Sequence, residues 1–295
     1  MRAQDFARLV ALGAMWGGSY IFMRVAVPHL GPALMIELRL LFAGLLLAGF
    51  MLVAGRKADW RTHWRPWLVV AVVGTAVPFM LIAAAVRTID ASTASILNAL
   101  VPLFTTVVAA FWIRDRITPP KAAGIVLSIA GTAVLVGWTP APMTSQELLA
   151  AAMSVAATML YGINIVFSRV RLREATPIAT SAWTLLMASV VLLPFTPLDR
   201  DLAAVPASAW IAVGALAVVS TTVAFIYYYR LIADIGPVKA STVTLLVPVF
   251  GMVWGVVFLG EPLTPGRIAG CAIILAGCAL ILGLLRPPAG ARASG

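Results

Sequence analysis

Long apolar stretches separated by short polar connections dominate this chain. Each stretch holds about 20 mostly apolar residues, the length that an α-helix needs to cross a bilayer. The connections are rich in Pro, Gly, Asp or Arg, as in PHLGP at 28–32 and GEPLTPG at 260–266. The pattern predicts an all-α integral membrane protein. Its ten predicted transmembrane helices are 7–27, 34–54, 66–86, 91–113, 120–138, 147–167, 177–196, 207–229, 238–260 and 266–285.

Composition supports lipid as the solvent. The chain has 295 residues, of which 62% are hydrophobic and 11% are charged, and its mean hydropathy is +1.01. Soluble domains carry about 25% charged residues. A soluble core of this length has no room for so much apolar surface, and no connection is long enough to hold a separate soluble domain.

The net charge of +10 does not indicate a nucleic-acid partner, because the basic residues form no patch or stripe. They fall in the connections instead. With a cytoplasmic N-terminus, 16 of the 21 Lys and Arg lie inside, and only Arg87, Arg200 and Arg267 lie in outside loops. This bias predicts a multi-pass protein of the bacterial inner membrane with both termini in the cytoplasm. The N-terminal stretch is then an uncleaved first helix.

The chain repeats itself at a distance of 146 residues. Residues 71–137 align with 217–283 without a gap, and 22 of the 67 positions are identical. Each predicted half contains five helices, an odd number, so the second half enters the membrane from the opposite side. The two halves, 1–143 and 144–295, are therefore predicted to form a 5+5 inverted-topology repeat. Such repeats are typical of transporters that work by alternating access, although duplication without a transport role is the alternative.

Several motifs carry a family resemblance. The opening WGGSYIFMR, the prolines of VPLF and VPVF, and the endings ITPPKAAGIVLSIAGTAVLVG and LTPGRIAGCAIILAGCALILG resemble the drug/metabolite transporter superfamily, EamA type. The resemblance covers nearly the whole chain, and by overall similarity it extends to YddG-type exporters of aromatic amino acids. It implies a secondary transporter that exports amino acids or related metabolites.

Two related stretches, at 94–104 and 240–250, place a proline in the middle of predicted helices 4 and 9. Pro102 and Pro248 have no N–H to donate to the carbonyls four residues before them, which are free to bind a ligand. The structural alternative is a kink whose carbonyl is satisfied by nearby hydroxyl groups. The polar residues predicted to bind substrate on these helices are Ser95, Asn98, Ser241 and Thr244.

Helices 1, 3, 6 and 8 are expected to complete a cavity with aromatic walls, hydroxyls, amides and few charges, suited to a zwitterion without a fixed counter-ion. Pro78 is expected to kink helix 3. Trp60, Trp64, Trp67, Trp138 and Trp210 are instead predicted to lie in the interfacial belts. The residues predicted to line the cavity are Trp16, Ser19, Tyr20, Thr75, Phe79, Tyr161, Asn164, Thr221, Phe225 and Tyr228.

Three charged residues fall within the first two predicted helices: Arg24, Glu37 and Arg39. A charge at this depth is a functional candidate, and snorkelling towards the headgroups is the alternative. Arg24 and Glu37 are positioned to pair across the two helices. Because titratable carboxylates are scarce, we expect facilitated diffusion or exchange, with proton-coupled export of drugs or other metabolites as the alternative.

Other classes of protein fit the sequence less well. The chain has no HExxH motif, no GxSxG motif and no phosphate loop, so neither an enzyme nor an ATP-driven pump is expected, and no metal or cofactor is predicted. A scaffold or receptor would not require an inverted repeat. Cys271 and Cys278 are expected to pack within the last helix. Glycines at 124, 131, 270 and 277 let helices 5 and 10 pack closely, either within a monomer or at a homodimer interface.

Overall fold

The computed structural model describes residues 3–55, 60–139, 142–196, 202–235, 240 and 242–284. Every regular element in these ranges is helical. Seven of the described helices are long and apolar enough to cross a membrane. Two further apolar helices, Val243–Leu259 and Pro265–Ile281, are shorter. The all-α class predicted from the apolar pattern is therefore confirmed.

The first helix, α1 (Ala3–Val53), joins the first two predicted helices. It is interrupted at Gly31, where φ is 71° and ψ is 163°, so two helical segments meet there at a kink. Pro28 and Pro32 flank this glycine and lack the N–H groups that a continuous helix would need. Glycine adopts the positive φ at little steric cost. The PHLGP connection thus bends the chain without a long loop.

Two bundle helices contain a π-helical segment at equivalent positions of the repeat. In the first half, α2 (Trp60–Ala71) continues through the π-helical residues Val72–Ala76 into α3 (Val77–Ala85), and Pro78 lies in the first turn of α3. In the second half, Val218–Val223 joins α9 (Ala207–Ala217) to α10 (Ala224–Ile235). Such π-bulges are frequent at functional sites.

The equivalent prolines of the two halves lie in different local structures. Between α4 (Ala91–Asn98) and α5 (Val101–Trp112), the N–H groups of Ala99 and Leu100 donate to carbonyls only three residues back. Pro102 lies in the first turn of α5, directly after this interruption. In contrast, α11 (Val243–Leu259) runs through Pro248 as one helix.

Helices α6 (Pro119–Gly137) and α12 (Pro265–Ile281) pack against each other. Their glycines make this close approach possible, because a Cβ on Gly277 would lie 2.6 Å from the carbonyl oxygen of Gly124, and one on Gly270 2.8 Å from Cβ of Leu135. The glycine faces are therefore used within the chain. The remaining helices are α7 (Ser145–Arg171) and α8 (Pro177–Leu192), and short 3-10 turns cover Leu193–Phe195 and Leu202–Ala204.

The core forms where α1 packs on α8, α9 and α11, and where α7 packs on α3 and α5. Large apolar side chains such as Val53, Phe111 and Val190 point outwards and are mostly exposed. An exposed apolar belt around a buried bundle is the arrangement expected when lipid surrounds the protein.

Candidate functional site

A cavity of about 570 Å³ lies between helices of both halves. Eleven of the residues predicted to bind substrate border it. They come from α1, the π-helical segment Val72–Ala76, α3, α4, α7, α10 and α11. These residues are Trp16, Ser19, Tyr20, Thr75, Phe79, Asn98, Tyr161, Asn164, Phe225, Tyr228 and Thr244.

Aromatic rings of both halves form two walls of this cavity. The Trp16 ring lies 5.3 Å from that of Tyr228 and meets the Phe225 ring edge-on at 6.4 Å. Phe79 meets Tyr161 in the same edge-on manner at 6.4 Å. These distances are typical of favourable aromatic pairs. The cavity thus has rigid apolar walls beside its hydroxyl and amide groups.

Arg39 also borders the cavity, which corrects the expectation of a site without a fixed counter-ion. Its residue is only 6% exposed, and its guanidinium carbon lies 4.2 Å from the centre of the Phe79 ring. Among the residues that border the cavity, Arg39 is the one with a formal charge. The guanidinium does not snorkel to the surface but faces the interior of the bundle.

Thr221 lies behind Arg39 rather than on the cavity wall. Its hydroxyl accepts a hydrogen bond from Nε of Arg39 at 3.1 Å and donates one to the carbonyl of Leu216 at 2.8 Å. The second bond reaches five residues back, as the π-helical segment allows. Thr221 therefore orients the guanidinium, and both capacities of its hydroxyl are in use.

Ser95 and Ser241 differ from the other predicted residues. Ser95 is fully buried, donates to the carbonyl of Ser92 at 2.8 Å, and packs against Gly251 of α11, where a Cβ would collide with its hydroxyl. It supports the α4–α11 contact and does not border the cavity. Ser241 lies outside the described residues.

Gly74 allows the close approach of Asn164 across the cavity wall. A Cβ at position 74 would collide with the side-chain amide of Asn164. Asn164 on α7 is thereby held against the π-helical segment of the first half, and its Oδ1 accepts a bond of 3.5 Å from the hydroxyl of Ser168. The glycine in this segment is therefore a packing requirement of the site.

Helix α8 contributes hydroxyl groups that sequence reasoning missed. Thr180, Ser181 and Thr184 all border the cavity. Thr184 donates to the carbonyl of Thr180 at 2.7 Å, and the Thr180 hydroxyl accepts from Nε1 of Trp67 at 3.2 Å. The signal was present in the sequence as hydroxyl residues one turn apart in an otherwise apolar helix.

Trp67 and the predicted Arg24–Glu37 pair require correction. Trp67 is only 1% exposed and stacks on Trp183, so it packs inside the bundle and not in an interfacial belt. Arg24 donates to the carbonyl of Val86, and Glu37 accepts from the hydroxyl of Ser189. The predicted pair is therefore replaced by these two hydrogen bonds, and neither Arg24 nor Glu37 borders the cavity.

One end of the bundle is held together by a group of residues that we call the Glu261 cluster: Asp90, Ala91, Ser92, Glu261 and Arg267. The carboxylate of Glu261 accepts from the N–H groups of Ala91 at 2.7 Å and Ser92 at 3.0 Å, and from the Ser92 hydroxyl. Arg267 forms an ion pair with Asp90. A carboxylate at the first turn of α4 satisfies its free N–H groups and complements the helix dipole.

The cavity does not include the Glu261 cluster. Its lining includes Leu172 and Ala175, which lie between α7 and α8, and Pro177, the first residue of α8. The cluster joins the start of α4 to the residues around the start of α12, whereas this part of the lining follows the end of α7.

A membrane-spanning bundle around one central cavity with aromatic walls and polar groups is an architecture found among secondary transporters. The chain belongs to the EamA-like transporter family, whose sequence model matches residues 7–137 and again residues 148–283. It is thus a membrane transporter of the drug/metabolite transporter superfamily, as the motifs of the sequence indicated.

Three similar proteins illustrate this relationship. The "Uncharacterized inner membrane transporter YedA" of Escherichia coli K12 is 28% identical over 88% of this chain and 84% of its own length. The "Probable terminal-alkyne amino-acid exporter" of Streptantibioticus cattleyicolor is 26% identical over 92% and 91%. A solved crystal structure with 21% identity has a TM-score of 0.66 and covers 95% of this chain and 96% of its own. The structural match supports the fold.

Proposed function

We propose that this protein is a secondary transporter that exports amino acids, with neutral and aromatic ones favoured, or related metabolites. The observation that carries the proposal is the cavity between the halves, with its aromatic walls, hydroxyls and amides. Such walls match an apolar side chain, and the polar groups match the ends of a zwitterion. The name of the Streptantibioticus relative points to the same substrate class.

The proposed architecture has ten spans in two inverted halves, 1–143 and 144–295. The kink at Gly31 divides α1 into two segments, each with the length of a span. The shorter α11 and α12 are each about 25 Å long at 1.5 Å per residue, nearly the hydrocarbon thickness. We propose the bacterial inner membrane with both termini in the cytoplasm, which leaves the α7–α8 connection inside and the Glu261 cluster outside.

Alternating access is the proposed mechanism. In this orientation the structure is closed towards the outside by the Glu261 cluster, and the cavity lies towards the cytoplasm. The first half offers a related pair for the opposite closure, because Asp115 and Lys121 align with Glu261 and Arg267. In this structure their side chains bond to each other at 3.1 Å. When one closure opens as the other forms, a bound substrate moves across the membrane.

The test is efflux from liposomes that contain the purified protein and are loaded with a panel of labelled amino acids. We expect saturable efflux of phenylalanine, tryptophan, methionine or threonine that does not depend on a pH gradient. Acceleration by unlabelled amino acid outside would identify exchange. Liposomes without protein, and liposomes with heat-denatured protein, are the controls.

The other results select the alternatives. Dependence on the pH gradient would favour proton-coupled export and make Glu37 the first carboxylate to replace, because its Oε2 is buried without a hydrogen-bond partner among the described residues. Absence of efflux for every amino acid would overturn the amino-acid assignment. We propose a monomeric working unit, because the cavity is built within one chain and the glycine faces of α6 and α12 are in contact there.

A further inference from the structure

The charge of Arg39 has no acidic partner in the part of the chain that the structure describes. Its Nε donates to the Thr221 hydroxyl, and among the described residues no hydrogen bond engages its two terminal nitrogens. Removing a cation from water is costly unless an anion or several polar groups compensate it. A buried guanidinium without an acidic partner, at the wall of a cavity, is suited to bind an anion.

The geometry around Arg39 leaves one edge available for a ligand. The guanidinium carbon lies over the Phe79 ring, and the Thr221 hydroxyl binds Nε. The terminal nitrogens then form the remaining edge, whose parallel N–H groups match the two oxygens of a carboxylate. Because the cavity lining carries no second charge, the site is matched to one negative charge. A phosphate monoester carries about two and would leave one uncompensated.

The same cavity offers an acceptor for a positive group. Asn98 borders it, and Oδ1 of Asn98 is buried without a hydrogen-bond partner in the described ranges. Such an oxygen is costly to leave alone in an apolar bundle and accepts a bond from an ammonium or amide group. Asn98 lies at the end of α4, directly before the interruption of that helix.

We propose that Arg39 binds the carboxylate of the transported substrate and Asn98 accepts a hydrogen bond from its amino group. This inference rests on the proposed transport function and deepens it: the substrate must carry a carboxylate, and amines or amides of the same size are poor substrates. Thr221 is a positioning residue in this arrangement, since it touches Arg39 and does not border the cavity.

The experiment compares matched ligands on the unmodified protein, so that it does not depend on a variant that folds. Binding to purified protein in lipid nanodiscs is measured at pH 7.5 for phenylalanine, methionine and threonine, each beside its carboxamide, and for 3-phenylpropionate beside 3-phenylpropionamide. We expect at least one pair in which the carboxylate binds at least about tenfold more tightly, the loss typical when a hydrogen bond to a charged group is removed. Equal binding within every pair, or no binding of any carboxylate, overturns the proposal.

Two variants place the effect on Arg39. R39Q should reduce the preference for the carboxylate to about twofold or less. R39K keeps the charge but lacks the two parallel N–H groups of the guanidinium, so it should retain part of the preference. The matched control is R24Q, which removes another arginine of α1 whose side chain does not border the cavity, and it should keep the preference. An unchanged preference in folded R39Q would refute the role of Arg39.

The two proposals fail separately. Efflux of amino acids and of their carboxamides at equal rates would leave a transporter but overturn carboxylate recognition. Selective, Arg39-dependent binding of 3-phenylpropionate without efflux of any amino acid would keep carboxylate recognition and overturn the amino-acid assignment.

Discussion

At the residue scale, two adjacent threonines in the π-helical segment of the second half have different roles. Thr221 and Thr222 are both buried, and each hydroxyl donates to the carbonyl five residues back, Leu216 and Ala217 respectively. Of the two, only the Thr221 hydroxyl accepts a hydrogen bond from Arg39 in this structure. The Thr221 hydroxyl thus links the segment to Arg39, whereas the Thr222 hydroxyl bonds to the helix backbone.

We expect T221V to weaken substrate binding about threefold to tenfold, because Nε of Arg39 loses a bond worth about 1 kcal/mol and the fork loses its orientation. T222V removes an equivalent hydroxyl from the same turn and should leave binding within about twofold of the unmodified protein. Affinity is measured with the carboxylate that binds best. Equal losses in both variants would show that the hydroxyls act through the helix and not through Arg39.

At the scale of the elements, α6 and α12 pack closely through their glycines. Gly124, Gly131, Gly270 and Gly277 face the partner helix, and a methyl group at any of them would approach backbone or side-chain atoms closer than an ordinary contact. Neither helix borders the cavity. Their contact therefore stabilises the bundle from outside the site.

G277A should lower the thermal stability of the detergent-solubilised protein. The added methyl group meets the Gly124 carbonyl and the Ser128 hydroxyl, and overpacking of this kind costs about 1–3 kcal/mol. G214A in α9 is the control, since a Cβ there has no atom within 4 Å. The control should keep or slightly raise the melting temperature, because alanine favours helix. A melting temperature of G277A equal to that of the unmodified protein would contradict the packing account.

At the scale of the whole molecule, the Glu261 cluster joins the two halves and the cavity lies apart from it. Glu261, from the connection that follows α11, satisfies N–H groups at the start of α4 and thereby links the second half to the first. The aligned Asp115 is bonded to Lys121. The two halves are alike in sequence, but these aligned carboxylates have different partners, a difference that the proposed alternating access requires of any single state.

Replacing Glu261 by Gln should loosen the closed end. The backbone amides of Ala91 and Ser92 lose a charged acceptor, and their hydrogen exchange should become at least about tenfold faster, because a bond to a charged group contributes about 1.5–3 kcal/mol. Peptides that cover residues 89–95 report this by mass spectrometry. D115N changes the aligned position and should leave those peptides unaffected. Slow exchange in E261Q would show that packing alone closes this end.

The sequence by itself determined the environment and the family. Apolar stretches of spanning length leave few solutions other than membrane helices, since backbone groups in lipid must be satisfied within the helix. The 146-residue repeat and its motifs led to the EamA-like family. Polar and aromatic positions such as Trp16, Asn98, Tyr161 and Tyr228 were enough to name eleven of the residues that border the cavity.

The tertiary structure decided which charges enter the site. From the sequence, Arg39 was one of three charged residues near the ends of the first helices, and spacing along one helix does not say which neighbour meets a side chain. The packing of α1 against the π-helical segment at 218–223 brings Thr221 to Arg39, and the position of α3 brings Phe79 over its guanidinium. These contacts join residues far apart in the chain, so only the folded bundle turns an arginine of α1 into the charged group of the cavity.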